Sequence, residues 1–272
     1  MTLWQAILLG LLQGLTEFLP ISSSGHLVLA QFALGLELTT GADFEVMLHL
    51  GTAFSIITVY WRRIGTIAQG VLRGLRQPGT AYARSENVRI AWHILVAMLP
   101  LMLVYVFFGD AVEAAFAHPP VACLMLIVTG VLLWLTILAP RTSSGFTVGK
   151  SLVVGVAQAA ALLPGISRSG ATICTGLYLR VRPETAVDFS FLMVLPAILG
   201  AALLKSAALL EVSSAAVLWP GLAGTVVAYA SGIIAIRMVL KVVRRGRLHY
   251  FAYYCVAIGL LGLIWVQSGG AP

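Results

Sequence analysis

The chain has 272 residues, of which 60% are hydrophobic and only 10% are charged. A soluble domain carries about 25% charged residues, so this composition and a mean hydropathy of +0.97 exclude an ordinary soluble protein. The net charge of +7 does not indicate a nucleic-acid partner, because the basic residues cluster in loops between apolar segments. We therefore predict a polytopic, all-α membrane protein with a single membrane domain over 1–272.

The cysteines and the N-terminal residues predict neither a cross-link nor a targeting signal. Cys123, Cys174 and Cys255 lie far apart in apolar runs, which predicts neither a disulfide framework nor a metal-binding spacing. The N-terminal residues Met1–Gln5 contain no basic residue, so we do not expect a cleaved signal peptide.

The first apolar segment, 3–19, stops at Pro20 and contains Glu17. At 1.5 Å per residue it reaches about 25 Å, which is shorter than a hydrocarbon core of about 30 Å. A second short segment, 26–36, follows the break Pro-Ile-Ser-Ser-Ser-Gly-His. Irregular backbone at membrane depth is tolerated only inside protein or beside a cavity, so we predict a re-entrant helical hairpin.

A similar pair of short segments, about 150–163 and 171–180, surrounds the break Pro-Gly-Ile-Ser-Arg-Ser-Gly. Arg168 in this break is the only charged residue between Lys150 and Arg180. An ionisable residue at membrane depth is costly and usually marks a functional site. This region is therefore predicted to be a second re-entrant hairpin.

Six further apolar segments are long enough to cross the membrane. They cover about 43–61, 92–108, 120–139, 187–206, 216–237 and 249–267.

The loop charges predict the orientation. Basic residues concentrate in 62–91, 140–150, 180–182 and 237–249, whereas the remaining loops carry mainly Asp and Glu. The positive-inside rule then places the basic loops in the cytoplasm and both termini outside. In this arrangement the first hairpin enters from outside and the second from the cytoplasm.

Eight residues of the first half recur in the second half at a constant offset of 145, as Gly25 does at Gly170. We predict two repeats, 1–140 and 148–270, each a hairpin plus three spans. The odd number of spans makes the second repeat inverted, with a site near the midplane. The pairs are Gly10 and Gly155, Gln13 and Gln158, Ile21 and Ile166, Ser22 and Ser167, Ser24 and Ser169, Gly25 and Gly170, Asp43 and Asp188, and Phe44 and Phe189.

If the two hairpin tips meet, they form a phosphate site. The second helix of each hairpin would point its N-terminal N–H groups inward, which favours anions, and Arg168 adds a planar fork for phosphate oxygens. Glu17 and Gln13, four residues apart on one helix face, favour a cation. A serine hydroxyl could attack phosphorus with Glu17 or His26 as base. The predicted site comprises Gln13, Glu17, Ser22, Ser23, Ser24, His26, Ser167, Arg168, Ser169 and Thr172.

Each of these residues also has a structural explanation. Ser22–Ser24 can cap a helix, Glu17 and Arg168 can form a structural ion pair, and His26 can be a satisfied buried histidine. Gln13 and Gln158 can bond between helices. Thr172 can bond back to its own helix.

The stretches Gln13–His26 and Pro164–Thr172 closely resemble the two signatures of the bacterial undecaprenyl-diphosphatase family, also called bacitracin-resistance proteins. The resemblance covers nearly the whole chain, including Asp43–Glu45 and Asp188–Phe191. It implies an integral plasma-membrane enzyme that removes the terminal phosphate from a polyprenyl diphosphate lipid. That reaction regenerates the lipid carrier for peptidoglycan synthesis.

The resemblance also implies a divalent cation, Mg²⁺ or Ca²⁺, and a site that opens outward. By motif, the catalytic residues would be Glu17, Ser23, His26 and Arg168, with Glu17 and Gln13 as metal ligands. We expect Ser23 to face the site and its neighbour Ser24 to cap the helix. The supporting substrate-binding residues would be Ser22, Ser167, Ser169 and Thr172. A homodimer is left open.

One departure concerns Gln13, where many members have Glu. An amide can coordinate a cation through its oxygen but cannot act as a base at neutral pH, so we expect the base and metal-binding roles to depend more on Glu17.

Two other functions stay open from the residues themselves. One is a transporter or flippase of polyprenyl phosphate, since inverted repeats suit alternating access, and the other is a non-catalytic anion-binding scaffold.

Overall fold

The computed structural model describes residues 1–36, 42–76, 78–140, 144–204 and 215–268. These residues are almost entirely helical, and the only β-pairing among them is an isolated bridge between Ser144 and Val181. The helices are α1 (Leu3–Phe18), α2 (Ser23–Ala33), α3 (Ala42–Gly74), α4 (Pro78–Arg84), α5 (Glu86–Phe116), α6 (Pro119–Trp134, extended by a 3₁₀ turn over Leu135–Leu138), α7 (Val148–Ala160), α8 (Arg168–Tyr178), α9 (Pro183–Leu204), α10 (Ala215–Arg244) and α11 (Tyr250–Gln267).

Six helices of the described chain are long and apolar enough to cross a membrane, which confirms the number of predicted spans. They provide the stretches Phe44–Gly74, Glu86–Phe116, Pro119–Leu138, Pro183–Gly200, Leu218–Arg244 and Tyr250–Gln267.

The predicted extents of several spans, among them 43–61, 92–108 and 216–237, were too short. Helix α3 continues beyond 61 to Gly74, and α5 begins at Glu86, so the predicted loop 62–91 is largely helical. Hydropathy marks the apolar part of a helix, whereas arginine is a good helix former and allows the helix to continue into water. Four charged residues used for the orientation, Glu37, Arg141, Lys205 and Glu211, lie outside the described residues, as does the side chain of Asp43.

The first predicted break is present between α1 and α2. Helix α1 starts with a capping box, in which Thr2 Oγ1 accepts from Gln5 N at 3.3 Å and Gln5 Oε1 accepts from Thr2 N at 2.7 Å. It ends at Phe18, just before Pro20. Helix α2 begins at Ser23 rather than at the predicted 26, because the Ser22 hydroxyl caps it by accepting from Gly25 N.

The second break has the same construction. Helix α7 ends at Ala160 and α8 begins at Arg168, where the Ser167 hydroxyl accepts from Gly170 N at 3.0 Å. The sequence predicted that α8 starts at 171. This was again too late, because the polar first turn that follows the Ser167 cap already belongs to the helix. The intervening turn contains Gly165 with φ +97°, a conformation that favours glycine.

The helix before each break, α1 or α7, packs tightly against a neighbouring helix at a glycine. A Cβ on Gly14 of α1 would collide with Ser231 Oγ and Ala228 O of α10, and a Cβ on Gly155 of α7 would collide with Ala97 O of α5. Small residues allow helix backbones to approach closely in apolar surroundings. The glycines thus fix α1 against α10 and α7 against α5.

The largest buried cluster lies beside the breaks and fixes the end of α1. Phe18 is fully buried and packs edge-to-face on Phe191 of α9, with ring centroids 5.3 Å apart. Ile56 of α3 and Ile173 of α8 belong to the same cluster. Because Phe18 is held on all sides, the neighbouring Glu17 side chain is held in a defined position.

Candidate functional site

The turns between α1 and α2 and between α7 and α8 meet inside the protein. A Cβ on Gly25 would lie 2.9 Å from Gly165 Cα, and Ser24 Oγ accepts from Gly165 N at 3.4 Å. On the other side, Ser169 Oγ donates to Leu19 O at 3.2 Å. The two tips therefore meet, as the predicted phosphate site requires.

Thr129 of α6 joins this meeting point and was not singled out from the sequence. Its hydroxyl donates to Gly165 O and accepts from Ser167 N, both at 2.9 Å. It thereby satisfies two backbone groups of the second turn that lie away from water. A threonine inside an apolar span was the only sequence signal for it.

Glu17 is the centre of the site, and its side chain is only 6% exposed. Its Oε1 accepts from Arg168 Nη2 at 2.6 Å. Its Oε2 accepts from Ser23 Oγ at 2.6 Å and from Gln13 Nε2 at 3.0 Å. The carboxylate thus connects the two turns, with a cation on one oxygen and a hydroxyl on the other.

Arg168 is the first residue of α8 and its side chain is 15% exposed. Besides Glu17, its guanidinium reaches Ser190 O of α9 at 3.4 Å. Thr172 steadies this arrangement, since its hydroxyl donates to Arg168 O at 2.8 Å and lies 2.7 Å from Ser190 Oγ. Thr172 therefore makes the bond back to its own helix and also contacts α9, which the sequence did not indicate.

The serines divide into two groups. Ser22 and Ser167 are the N-caps of α2 and α8, so the capping explanation is correct for them. The expectation that Ser24 caps α2 was wrong, because the cap falls two residues earlier and Ser24 contacts the other turn. Ser23 alone among these serines donates to Glu17, and it is partly exposed.

Both ring nitrogens of His26 have partners. Nδ1 lies 2.7 Å from Ser22 O and Nε2 lies 2.9 Å from the hydroxyl of Tyr254 on α11. A carbonyl only accepts, so Nδ1 donates, and Nε2 of the neutral ring accepts from Tyr254. The two rings also stack with centroids 5.6 Å apart. This geometry agrees with a satisfied buried histidine, and a role of His26 as base stays a prediction.

A second histidine, His49 of α3, was not selected from the sequence. Its Nε2 lies 3.8 Å from Glu17 Oε2, and its side chain is 36% exposed. Its Nδ1 lies 2.8 Å from Glu45 O. The sequence did contain a signal for it, because an ionisable residue such as histidine inside a predicted span indicates a functional position.

The predicted metal ligands Gln13 and Glu17 are adjacent, as their spacing indicated. Within the described ranges, no three His, Cys, Asp or Glu side chains come together as a metal cage. However, Gln13 Oε1 is buried and has no hydrogen-bond partner among the described residues, and a buried amide oxygen without a partner is costly. These donors suit a Mg²⁺-type ion that takes one or two carboxylates and completes its shell with phosphate oxygens.

Gln13 and Gln158 differ in their bonds. Gln13 bonds within its own helix to Glu17, whereas Gln158 Nε2 reaches Met98 Sδ of α5 at 3.4 Å. The interhelical explanation therefore describes only Gln158.

The assembled groups are suited to phosphoryl transfer. A hydroxyl in contact with a carboxylate can be deprotonated as it attacks or positions phosphorus. A guanidinium and two helix N-termini stabilise charge on the phosphoryl oxygens. All three features converge where the turns meet.

The chain is similar to known proteins over nearly its whole length. Residues 6–261 match the family model described as bacitracin resistance protein BacA. The chain is 53% identical over 269 residues to an undecaprenyl-diphosphatase of Salinibacter ruber, covering 97% of this chain and 99% of the relative. It is 36% identical over 269 residues to one of Bacteroides fragilis (97% and 98% covered) and 39% identical over 278 residues to one of Desulforapulum autotrophicum (97% and 98% covered). The chain is thus a multi-pass membrane protein that belongs to the bacitracin resistance protein, or undecaprenyl-diphosphatase, family.

Proposed function

We propose that the protein is an integral membrane phosphatase that hydrolyses undecaprenyl diphosphate to undecaprenyl phosphate and phosphate. The product is the lipid carrier needed again for peptidoglycan synthesis. The observation that carries the proposal is the chain of contacts from Ser23 through Glu17 to Arg168, with both links at 2.6 Å. It joins a hydroxyl, a base and a phosphate-binding cation at one point.

The terminal phosphate binds between the two turns. The first N–H groups of α2 and α8 and the Arg168 guanidinium supply donors for its oxygens. Arg168 is held on its other side by Ser190 O, so its fork is already oriented. Groups that need no reorientation stabilise developing charge most effectively.

Glu17 takes the proton in the reaction. Ser23 either attacks the terminal phosphorus or holds the water that attacks it, and in both cases the proton moves to Glu17 Oε2. The bond from phosphorus to the bridging oxygen breaks, and undecaprenyl phosphate leaves. With a Ser23 phosphoester, a water then attacks phosphorus and the bond from phosphorus to Ser23 Oγ breaks. Ser23 recovers its proton from Glu17, and the protons of the water leave with the phosphate.

A divalent cation is part of the proposal. Glu17 and Gln13 would hold it, supported by the buried Gln13 Oε1 that lacks a hydrogen-bond partner. When bound, such an ion neutralises charge on diphosphate oxygens. In this chain Gln13 contributes a neutral oxygen, so Glu17 carries the ligand charge and the base function together.

The pairs α1–α2 and α7–α8 are proposed to be re-entrant hairpins of an inverted repeat. Each first helix is short, and each packs against the second span of the other half, α1 on α10 and α7 on α5. Together with the constant offset of 145, this exchange supports two equivalent halves. With the arginine-rich ends in the cytoplasm, the site opens outward.

The central experiment is phosphate release from undecaprenyl diphosphate by purified protein, with and without a chelator. Glu17→Gln keeps the shape but removes the base, so we expect loss of nearly all turnover. Glu113→Gln, at an exposed acid at the end of α5, is the control and should retain full activity. Wild-type protein that releases no phosphate but moves lipid between leaflets would instead indicate a flippase.

The Arg168→Lys variant tests whether the site needs the planar guanidinium of Arg168 or only its positive charge. Lysine keeps the positive charge but holds one phosphate oxygen rather than two. We expect normal elution and melting with turnover lowered about 10²-fold or more, the scale of losing one preorganised donor. The control is Arg182→Lys at an exposed arginine. Near-normal turnover of Arg168→Lys would leave only a structural ion pair.

Ser23→Ala and Ser24→Ala compare adjacent hydroxyls with different contacts. Ser23 donates to Glu17, whereas Ser24 contacts the opposite turn. We expect Ser23→Ala to abolish most turnover at unchanged melting temperature and Ser24→Ala to cause a smaller loss. Turnover and thermal unfolding are measured on both variants, and equal small effects would contradict the assignment of Ser23.

The orientation is tested by labelling single cysteines in intact cells with an impermeant thiol reagent. Leu75→Cys lies at an exposed position among the arginines and should be shielded, and Glu113→Cys should react. The three native cysteines are buried and provide a low background. The reverse labelling pattern would place the site on the cytoplasmic side.

A further inference from the structure

His49 directs one ring nitrogen toward the central carboxylate. Its Nδ1 lies 2.8 Å from Glu45 O, and because a carbonyl can only accept, Nδ1 carries the hydrogen. Nε2 of the neutral ring then has its lone pair available. This atom lies 3.8 Å from Glu17 Oε2.

This arrangement is the one found in metal-binding histidines. A ligating imidazole usually donates its other N–H to a carboxylate or backbone carbonyl, which fixes the tautomer and ring orientation. Bonds of about 2.1 Å from one ion to a nitrogen and an oxygen span up to about 4.2 Å. The 3.8 Å between His49 Nε2 and Glu17 Oε2 therefore falls within the separation of two ligand atoms on one ion.

Gln13 supplies an independent indication on the same side of the carboxylate. Its side chain is fully buried, and its Nε2 lies 3.0 Å from Glu17 Oε2. No described residue forms a hydrogen bond to its Oε1. Rotation of the amide group would bring this oxygen toward a cation at Oε2, because the two ends of an amide have nearly the same shape.

The two oxygens of the Glu17 carboxylate have different neighbours. Arg168 occupies Oε1 at 2.6 Å, so an ion on the Oε2 side does not have to displace it. The His49 side chain is 36% exposed, in contrast to the buried Glu17. The His49 side of the carboxylate is thus the less buried side, where diphosphate oxygens and water would complete the shell of an ion.

We propose that His49 is a ligand of the divalent cation, beside Glu17 and Gln13, and that diphosphate oxygens and water complete the shell. The proposal rests on the proposed function and specifies its metal site. Imidazole nitrogen suits transition metals better than Mg²⁺ or Ca²⁺. This chain therefore binds Mn²⁺ more tightly than either of those ions.

The test is electron spin-echo spectroscopy of Mn²⁺ bound to the purified full-length protein, alone and with methylenediphosphonate. Wild type should show coupling of Mn²⁺ to one imidazole nitrogen. His49→Ala should lose this coupling and bind Mn²⁺ at least about tenfold more weakly. His49→Gln offers an oxygen and should recover Mg²⁺ binding without the nitrogen signal.

His118→Ala is the matched control, since His118 is exposed and lies outside the site; its spectrum and affinity should equal those of wild type. Mn²⁺ that binds wild type without nitrogen coupling, or coupling that persists in His49→Ala, would overturn the proposal and leave His49 as an ion-pair partner of Glu17. Both readouts are independent of turnover. If the wild-type protein then still releases phosphate with Mg²⁺, only the assignment of His49 as a ligand has failed and the proposed function stands.

Discussion

The ion pair between Glu17 and Arg168 is the interaction on which the rest of the structure depends. The two side chains come from different turns, lie 2.6 Å apart and are largely buried. A charge of either sign left alone in such surroundings would cost several kcal/mol, so the charge on each turn stabilises the charge on the other. The pair therefore couples the formation of the site to the docking of the two halves.

Helix packing delivers both charges to this point. Phe18 anchors the end of α1 in the central cluster, and the glycine contacts of α1 and α7 bring their backbones against neighbouring helices. Side chains at these positions would push the short helices outward and separate Glu17 from Arg168. The small residues and the buried ring of Phe18 thus control the distance between Glu17 and Arg168, which lie far apart in the chain.

The site surrounds one carboxylate with groups of different chemistry. Ser23 and Gln13 donate to one oxygen, Arg168 donates to the other, and His49 faces the first from α3. In a phosphatase, such sharing lets one acid orient the hydroxyl, hold the guanidinium and accept a proton. Among the described residues in contact with Glu17, the other groups are donors or neutral ligands, so none of them offers a second carboxylate.

The sequence by itself determined the membrane class, the six spans, the two breaks and the polar residues within them, because hydropathy, proline and isolated charges are local properties. Helix ends were misplaced where capping hydroxyls or helix propensity extended a helix beyond its apolar part, as at Ser22 and Ser167. Only the tertiary structure decided which residues from distant elements complete the site. Tyr254 and His49 are joined to it by contacts between helices far apart in the chain, and such contacts leave no local pattern in the sequence.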